Sequence, residues 1–285
     1  MSTWRGEARC VLALSFDVDA EAPVLAVDPA QSRNLSAMSH QAYGPRVGVP
    51  RILALLEDLG LRATFFIPGV TAERYPGTVE AILERGHEVG HHSHMHFSPI
   101  DCSEEEDRRD FERALRALER FGARPQGYRS PNWESAAWTP RLLAEHGFLY
   151  DSSLMDADVP YVLELDGAPL VELPVHWALD DWEHYMYLPR PEFTSPISSP
   201  KKVLDVWTRE LDAMAKYGGL FVLTCHPFIS GRPSRVEAIR QLVEHALDRG
   251  DVTVTCCEEV AGAVLEDSSI ERRPFVPPSE KTLGE

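Results

Sequence analysis

The densest group of side chains capable of metal chemistry in this 285-residue sequence is a run of four histidines between His91 and His96. His92 and His96 lie four positions apart, so one helical turn would bring both imidazoles to the same side. Neutral imidazole is a good ligand for zinc, iron and nickel. A lone histidine would more often be structural, but four of the chain's 11 histidines in one short stretch favour a metal site. His91 and His94 are expected to have structural or supporting roles.

Carboxylates and one more histidine follow two other apolar runs. Asp17 and Asp19 come directly after the run at 11–16, and His226 comes soon after the run at 220–224. Taken alone, an Asp-x-Asp sequence is more often a turn, and one histidine after a strand is weak evidence. Ligand sites in α/β proteins collect at the carboxyl ends of parallel strands. The three groups together therefore predict one site, with His226 as a candidate general acid.

The elements that must position these residues alternate between short apolar strands and longer helical segments. Strands are predicted at 11–16, 63–67, 87–91, 148–150, 220–224 and 252–256. Helices are predicted at 50–60, 79–85, 103–121, 139–147, 201–217 and 235–249, with a last one ending near 266. This alternation predicts βα units, a largely parallel sheet and the α/β class. Arg129 and Asp151 also fall at predicted strand-to-loop junctions, where either residue could be only part of a turn.

The organisation predicted along the chain is a single domain followed by a short tail. We place the catalytic domain at 1–267 and a polar, proline-rich tail at 268–285. Residues 21–49 are rich in Ser, Pro, Gly, Asn and Gln and form an unusually long connection. A connection of that length is more often functional than filler. We therefore predict a loop that either covers the site as a lid or forms a subunit interface.

The composition excludes several classes of protein. The 44% of hydrophobic residues supply a full core, which excludes disorder for most of the chain. The net charge of −17 repels phosphate backbones, so neither nucleic acid nor an anionic membrane is expected as a partner. No apolar run approaches the ~20 residues of a membrane span. The five cysteines lack the spacing of a disulfide scaffold, and the N-terminus lacks the features of a secretory signal, which predicts a reduced, cytoplasmic protein.

Five short motifs occur in a fixed order along the chain. They are Ser-Phe-Asp-x-Asp from Ser15, Thr-Phe-Phe from Thr64, His-Ser-x-x-His from His92, Arg-x-Pro from Arg129 and Leu-x-x-His from Leu223. The series resembles the polysaccharide deacetylase superfamily (the NodB-homology domain, carbohydrate esterase family four) over roughly residues 10–265. The resemblance implies a distorted (β/α) barrel, similar to a TIM barrel, with one divalent metal ion. Zinc is expected first, with cobalt, nickel, manganese or iron as alternatives.

The resemblance also implies roles for individual residues. Three match metal ligands: Asp19, His92 and His96. Asp17 matches the catalytic base, Arg129 the arginine that orients this base, and His226 the catalytic histidine near the end of the chain. Four further residues are expected to bind substrate: Trp133, Asp151, Trp177 and Asp181. Tryptophans are more often packing residues, so they do not decide the substrate.

One departure from the family pattern points to a particular branch. Val18 separates Asp17 from Asp19, whereas polysaccharide deacetylases usually carry adjacent aspartates. This spacing and the segment at 177–181 look more like the cytoplasmic branch, which includes allantoinase-like, cyclic-imidase-like and peptidoglycan-deacetylase-like proteins. Tetramers occur in that branch, so the resemblance implies a homo-oligomer, either a dimer or a tetramer.

The predicted function is hydrolysis of a non-peptide amide bond by metal-activated water, with Asp17 as base and His226 as acid. The substrate is either an N-acetylated sugar or a small cyclic amide, such as a cyclic imide or allantoin. Two other classes rank lower. Fe(II) oxygenases also use two histidines and a carboxylate, but their usual double-stranded β fold does not match the βα pattern. A non-hydrolytic metal-binding relative would be expected to lack the base or the acid, and both are present.

Overall fold

A computed structural model describes residues 4–165 and 168–277 of the chain. The strands are β1 (Cys10–Asp17), β2 (Thr64–Ile67), β3 (Glu88–His91), β4 (Gly127–Tyr128), β5 (Tyr150–Asp151), β6 (Tyr161–Glu164), β7 (Pro169–Glu172), β8 (Tyr187–Pro189), β9 (Glu192–Thr194), β10 (Leu220–Cys225), β11 (Val252–Thr255) and β12 (Arg272–Pro274). The α-helices are α1 (Ala22–Val27), α2 (Leu35–Tyr43), α3 (Val49–Leu59), α4 (Gly69–Arg74), α5 (Pro76–Glu84), α6 (Glu104–Glu119), α7 (Thr139–Glu145), α8 (Asp181–Tyr185), α9 (Pro200–Tyr217), α10 (Pro227–Ser230), α11 (Pro233–Arg249) and α12 (Cys257–Glu266). Short 3₁₀ turns lie at Pro29–Arg33, Pro99–Asp101, Pro131–Trp133 and Trp177–Leu179, and a π turn lies at Gly44–Gly48.

One large sheet organises the molecule. Its strand order is β10-β1-β2-β3-β4-β5-β7-β6-β12, and β11 also pairs with β1. Neighbouring strands are parallel except for the antiparallel pair β6–β7. Within the described residues the pairings form a path with two ends, β10 and β12. The mostly parallel sheet and its helices confirm the α/β class and the single domain.

Strand β1 pairs with β2, β10 and β11 and is buried along its whole length. Leu12, Leu14 and Phe16 belong to the largest hydrophobic cluster, together with residues of α3, α9 and α11. Val11 and Ala13 belong to a second cluster that includes residues of α12. Successive side chains of a strand point to opposite faces, so β1 is covered on both sides. This explains why the strand reads as a continuous apolar run.

Two helix ends that the sequence predicts are confirmed: the start of α6 at Ser103, where Ser103 and Glu106 have the spacing of a capping box, and the end of α3 at Gly60. The Ser103 hydroxyl accepts a hydrogen bond from the Glu106 backbone N–H, and the Glu106 carboxylate accepts one from the Ser103 N–H, which forms the predicted capping box of α6. Helix α3 ends at Gly60, whose φ of 66° is a left-handed conformation that glycine adopts without steric cost.

The stretch at 21–49 is not the predicted loop. It contains α1 and α2, together with the 3₁₀ and π turns between and after them. The Asn34 side chain accepts a hydrogen bond from the Ala37 N–H at 3.1 Å and begins α2. These helices have only six and nine residues, which is too short for a clear apolar period. The end of the stretch packs on α10, where a Cβ at Gly48 would collide with the carbonyl oxygen of Pro227.

Part of the predicted tail belongs to the sheet. Strand β12 pairs in parallel with β6, which itself forms a hairpin with β7 that was not predicted. Residues 278–285 of the predicted tail lie outside the described residues, and the boundary at 267 stays a prediction. Among the helices of residues 4–165 and 168–277, none has the length and apolar character needed to cross a bilayer.

Candidate active site

The predicted site residues meet at the carboxyl ends of neighbouring strands. Asp17 is the last residue of β1, His92 follows β3, and His226 follows β10. The register pairs Phe16 with Cys225, so β1 and β10 end at the same level. A cavity of about 200 Å³ opens at this edge of the sheet. This is the position at which ligand sites of parallel α/β sheets are found.

Asp19, His92 and His96 form a compact group of metal-ligand type. One ligand atom from each lies within 4.8 Å of the others, and all three residues are buried. Asp19 Oδ1 lies 3.4 Å from His92 Nε2, and Asp19 Oδ2 lies 3.6 Å from His96 Nε2. Within residues 4–165 and 168–277, neither oxygen of Asp19 has a hydrogen-bond partner. A buried carboxylate without partners is costly, so this donor set fits a divalent cation, and two imidazoles with one carboxylate suit zinc.

The prediction that one helical turn brings His92 and His96 together is wrong. Residues 92–96 form a loop in which Ser93 (φ 56°) and His96 (φ 60°) adopt the left-handed conformation. The Ser93 hydroxyl accepts a hydrogen bond from the His96 N–H at 2.8 Å. The Ser93 N–H in turn donates to His91 Nδ1 at 3.2 Å. These hydrogen bonds hold the loop so that the two ligand rings lie 5.0 Å apart.

The His92 ring is oriented by a backbone carbonyl. His92 Nδ1 lies 2.7 Å from the carbonyl oxygen of Arg129. A proton on Nδ1 donated to this carbonyl leaves the Nε2 lone pair facing Asp19, which is the arrangement of metal-ligating histidines. Burial lowers the pKa of His92 to about 3 and the pKa of His96 well below its ordinary value. Both rings are therefore neutral, which is the form that binds metal ions.

Asp17 is held by the buried guanidinium of Arg129. Arg129 Nη1 donates to Asp17 Oδ1 at 2.8 Å and to the Ser15 hydroxyl at 2.9 Å. Its Nη2 donates to the Ser152 hydroxyl at 3.0 Å, and the guanidinium lies 4.2 Å from the ring centroid of Phe66. Arg129 is completely buried. The contacts fix the orientation of the Asp17 carboxylate and supply it with a permanent positive partner.

His226 has carboxylates around it instead of a carbonyl. Its Nδ1 lies 2.7 Å from Asp181 Oδ1, and its backbone N–H donates to both oxygens of Asp181 at 3.0 Å. Asp180 Oδ1 lies 3.6 Å from Nδ1, and Asp19 Oδ2 lies 3.5 Å from Nε2. Burial opposes the charged ring, but the carboxylates outweigh it and raise the pKa of His226 well above its ordinary value. The ring can therefore hold a proton at neutral pH.

Comparison with known proteins shows where this site belongs. The family model for polysaccharide deacetylases matches residues 42–150. The crystal structure of a putative polysaccharide deacetylase from Mycobacterium smegmatis is 45% identical, with 97% of each chain covered and a TM-score of 0.93. The chain belongs to the polysaccharide deacetylase family.

Two further relatives of this polysaccharide deacetylase family protein have lower identity to it. A peptidoglycan deacetylase from Helicobacter pylori is 28% identical over 83% of this chain and 88% of its own length. The crystal structure of a PuuE allantoinase superposes with a TM-score of 0.78 at 24% identity, with 90% of this chain and 91% of that chain covered. The allantoinase shares the fold, and at this identity the likeness carries nothing beyond the fold. Deacetylases of the family are hydrolases that act on amide bonds.

The structure brings most of the predicted site residues of this deacetylase family member into one cavity. Asp17, Asp19, His92, His96 and His226 line it, as do Trp133 and Trp177 from the predicted substrate-binding set. The rings of Trp133 and Trp177 lie 4.8 Å apart and form one wall. No residue of the stretch at 21–49 lines the cavity, so a lid from that stretch is not seen. The alternative role of that stretch as a subunit interface stays a prediction.

Two predicted substrate-binding residues lie elsewhere. Asp181 is buried behind His226 and accepts its hydrogen bonds. Asp151 is buried beside Glu172 and accepts a hydrogen bond from the Ser153 hydroxyl at 2.5 Å. Neither lines the cavity, because Asp181 is engaged by His226 and Asp151 accepts its hydrogen bond from Ser153 in the interior. The structure therefore does not bring them to the cavity with Trp133 and Trp177, and their substrate-binding roles stay a prediction.

Sequence reasoning missed several residues that do line the cavity. They are Ser130, Asn132, Glu134, Asp180 and Glu183. Asp180 begins α8, where its carboxylate accepts a hydrogen bond from the Trp182 N–H at 2.7 Å. The sequence contains one signal for two of these residues: Glu134 directly follows Trp133, and Glu183 directly follows Trp182.

Proposed function

We propose that this protein is a metal-dependent hydrolase that removes the acyl group from an N-acetylated sugar. One observation carries the proposal. A metal-ligand group (Asp19, His92 and His96) shares its cavity with an arginine-held carboxylate on one side and a carboxylate-held histidine on the other. The family membership and the name of the Helicobacter pylori relative, a peptidoglycan deacetylase, support an amide of this kind.

Asp19, His92 and His96 are the residues that would hold the metal. When bound, a divalent ion such as zinc supplies Lewis acidity, which polarises a carbonyl group and makes water more acidic. Two imidazoles and one carboxylate leave coordination positions open, as in catalytic metal sites.

Asp17 acts as the general base in this proposal. It accepts the proton of the water molecule that attacks the amide carbonyl carbon. Arg129, which donates to Asp17 Oδ1 at 2.8 Å, orients the carboxylate and leaves Oδ2 at 3.9 Å from His92 Nε2. The base is therefore on the same side of the cavity as the metal-ligand group.

His226 acts as the general acid. It carries a proton because Asp180, Asp181 and Asp19 stabilise the imidazolium. Asp181 holds Nδ1, so the proton on Nε2 is the one available to the nitrogen that leaves when the C–N bond breaks. Protonation of that nitrogen converts a poor leaving group into an amine.

The walls of the cavity suit a ring-shaped substrate. Trp133 is almost completely buried, whereas Trp177 is 47% exposed and lies at the edge of the cavity. Indole faces stack on sugar rings and on planar cyclic amides alike. The volume of about 200 Å³ lies below the roughly 300–1,000 Å³ of common ligand pockets, which favours opening of a small cyclic amide or imide as the second candidate.

The first experiment measures acetate release from N-acetylglucosamine oligomers by protein that holds stoichiometric zinc. We expect release that falls by about 10²–10⁴-fold in Asp17→Asn, because the general base is lost while the ligands remain. Asp205→Asn, at an exposed position of α9, is the matched control. Absence of release, with hydrolysis of allantoin, hydantoins or cyclic imides instead, would establish the second candidate. Absence of both activities would contradict the proposal.

We also propose a cytoplasmic homo-oligomer. All five cysteines are free and four of them are buried, which is compatible with a reducing compartment. Sedimentation analysis of the purified full chain measures the assembly, and a monomer at all concentrations would contradict the oligomer.

A further inference from the structure

Carboxylates outnumber cationic side chains on the walls of the cavity, where His226 is the one positively charged group among the described residues. Five carboxylates line it: Asp17, Asp19, Glu134, Asp180 and Glu183. No lysine or arginine from residues 4–165 and 168–277 does so. His226 and the underlying Arg129 offset the inner carboxylates, and a bound metal ion would do so as well. The two glutamates remain as uncompensated charges.

Glu134 and Glu183 differ from the other three in position. Asp17, Asp19 and Asp180 are buried and serve the reaction centre, whereas Glu134 is partly exposed and Glu183 is exposed. Within the described residues, neither glutamate forms a hydrogen bond or an ion pair through its side chain. Each directly follows a tryptophan of the cavity in the sequence, Trp133 or Trp182, and each lines the cavity itself.

An exposed glutamate on a flat surface is solvated and screened, and has little effect on ligands. These two glutamates border a concave cavity whose walls include indole rings. Clefts of this kind, lined by one sign of charge, focus the electric field on whatever enters them. The net charge of −17 on the whole chain acts in the same direction.

We propose that Glu134 and Glu183 are specificity-determining residues that exclude anionic substrates, so that the cavity accepts amides that are neutral or positively charged. The inference rests on the proposed function. It narrows the substrate class to amides without a carboxylate or phosphate near the acylated nitrogen. Like charges that meet on binding raise KM and slow association, without altering the chemical step.

The test compares two substrates of equal size that differ in charge. N-acetylmuramic acid carries a carboxylate, and its carboxamide is neutral with the same sugar and the same acetyl group. We expect zinc-loaded protein to show kcat/KM about tenfold higher for the carboxamide at low salt, with the ratio falling as sodium chloride is added. The double variant Glu134→Gln/Glu183→Gln should bring this ratio close to one, mainly through KM for the acid.

A matched control removes the same charge elsewhere. Glu80→Gln/Glu244→Gln changes two exposed glutamates on α5 and α11, and it should leave the ratio as in the unmodified protein. A ratio near one in the unmodified protein would overturn the inference. A ratio that the Glu134→Gln/Glu183→Gln variant does not change would also overturn it.

Failure of the proposed function is distinguished by a binding measurement. If zinc-loaded protein hydrolyses neither sugar, the deacetylase proposal fails for these compounds, and calorimetric titration with the same pair tests the charge selection separately. Tighter binding of the carboxamide, lost in Glu134→Gln/Glu183→Gln, would support the inference. Equal or tighter binding of the acid would contradict it, as would failure of both compounds to bind.

Discussion

His92 and His226 occupy the same cavity, are both buried, and yet have opposite proton affinities. Nδ1 of each ring lies 2.7 Å from an oxygen atom, which is the carbonyl of Arg129 for His92 and the carboxylate of Asp181 for His226. Burial lowers the pKa of His92 to about 3, because a neutral carbonyl does not compensate the lost hydration. For His226 the surrounding carboxylates reverse the effect of burial and raise the pKa.

In the proposed function, one residue type has two chemical roles in the same cavity. The neutral ring would offer a lone pair to a metal, and the charged ring would offer a proton to a leaving group. The acceptor behind each ring decides which function it has. Changes to the ligand side should therefore affect metal content, and changes to the acid side should affect proton transfer.

The largest effect is expected from Asp19→Asn, on the ligand side. Loss of the carboxylate leaves two neutral imidazoles, and zinc affinity should fall by more than the roughly 10–100-fold that changes in supporting residues produce. Activity should be lost together with the metal. Zinc content after dialysis and calorimetric titration with zinc measure the effect, with Asp205→Asn as the control. Normal zinc content would remove Asp19 from the ligand set.

On the acid side, His226→Ala should lower kcat by about 10²–10⁴-fold. Zinc content should stay at the unmodified level, because the predicted ligands Asp19, His92 and His96 remain. The measurement combines steady-state kinetics with metal analysis of the same sample. An effect confined to KM would assign His226 to substrate binding instead.

Asp181→Asn tests the cause of the difference between the two histidines, because it makes the environment of His226 more similar to that of His92. The pKa of His226 should fall, as followed by NMR titration of the metal-free protein. A histidine whose pKa is raised in the folded state adds to the free energy of unfolding, and this contribution is fully present below the unfolded pKa of about 6.5. The contribution is lost as the pH rises through the pKa of the folded state. The variant should therefore be less stable by about 1.5–3 kcal/mol at pH 6, and by less at pH 9. An equal loss at both pH values would contradict the role of Asp181.

The sequence predicted which edge of the sheet carries the candidate site, because the residues that indicate this edge directly follow their strands. A strand followed at once by Asp17, by His92 or by His226 places each residue at a carboxyl end, and parallel pairing brings the ends together. Helix ends such as Gly60 and Ser103 were equally readable from single residues. The helices at 21–49 were not, because helices of six and nine residues are too short to show a clear apolar period.

Long-range partners could not be predicted in the same way. Asp151 faces Glu172 because β5 pairs with β7, and β7 belongs to a hairpin that the sequence did not indicate. Asp181 lies behind His226 because Asp180 begins α8 and the chain turns there, 45 residues before His226. A strand-end carboxylate can point into the cavity or into the interior, and only its partners decide which.

The smallest change in zinc affinity is expected from a variant that weakens the loop carrying the predicted ligands His92 and His96. Asp110 of α6 accepts hydrogen bonds from the backbone N–H groups of His94 and Met95 at 2.6 and 3.1 Å. These contacts hold a loop that includes two left-handed residues. Asp110→Asn weakens both contacts without touching a ligand, so zinc affinity should fall by about tenfold, at the low end of changes in supporting residues. Asp101→Asn, at an exposed site near α6, is the control. An unchanged zinc affinity would show that the loop keeps its conformation without the Asp110 contacts. A loss as large as that of Asp19→Asn would show that the loop conformation, more than the carboxylate of Asp19, limits metal binding.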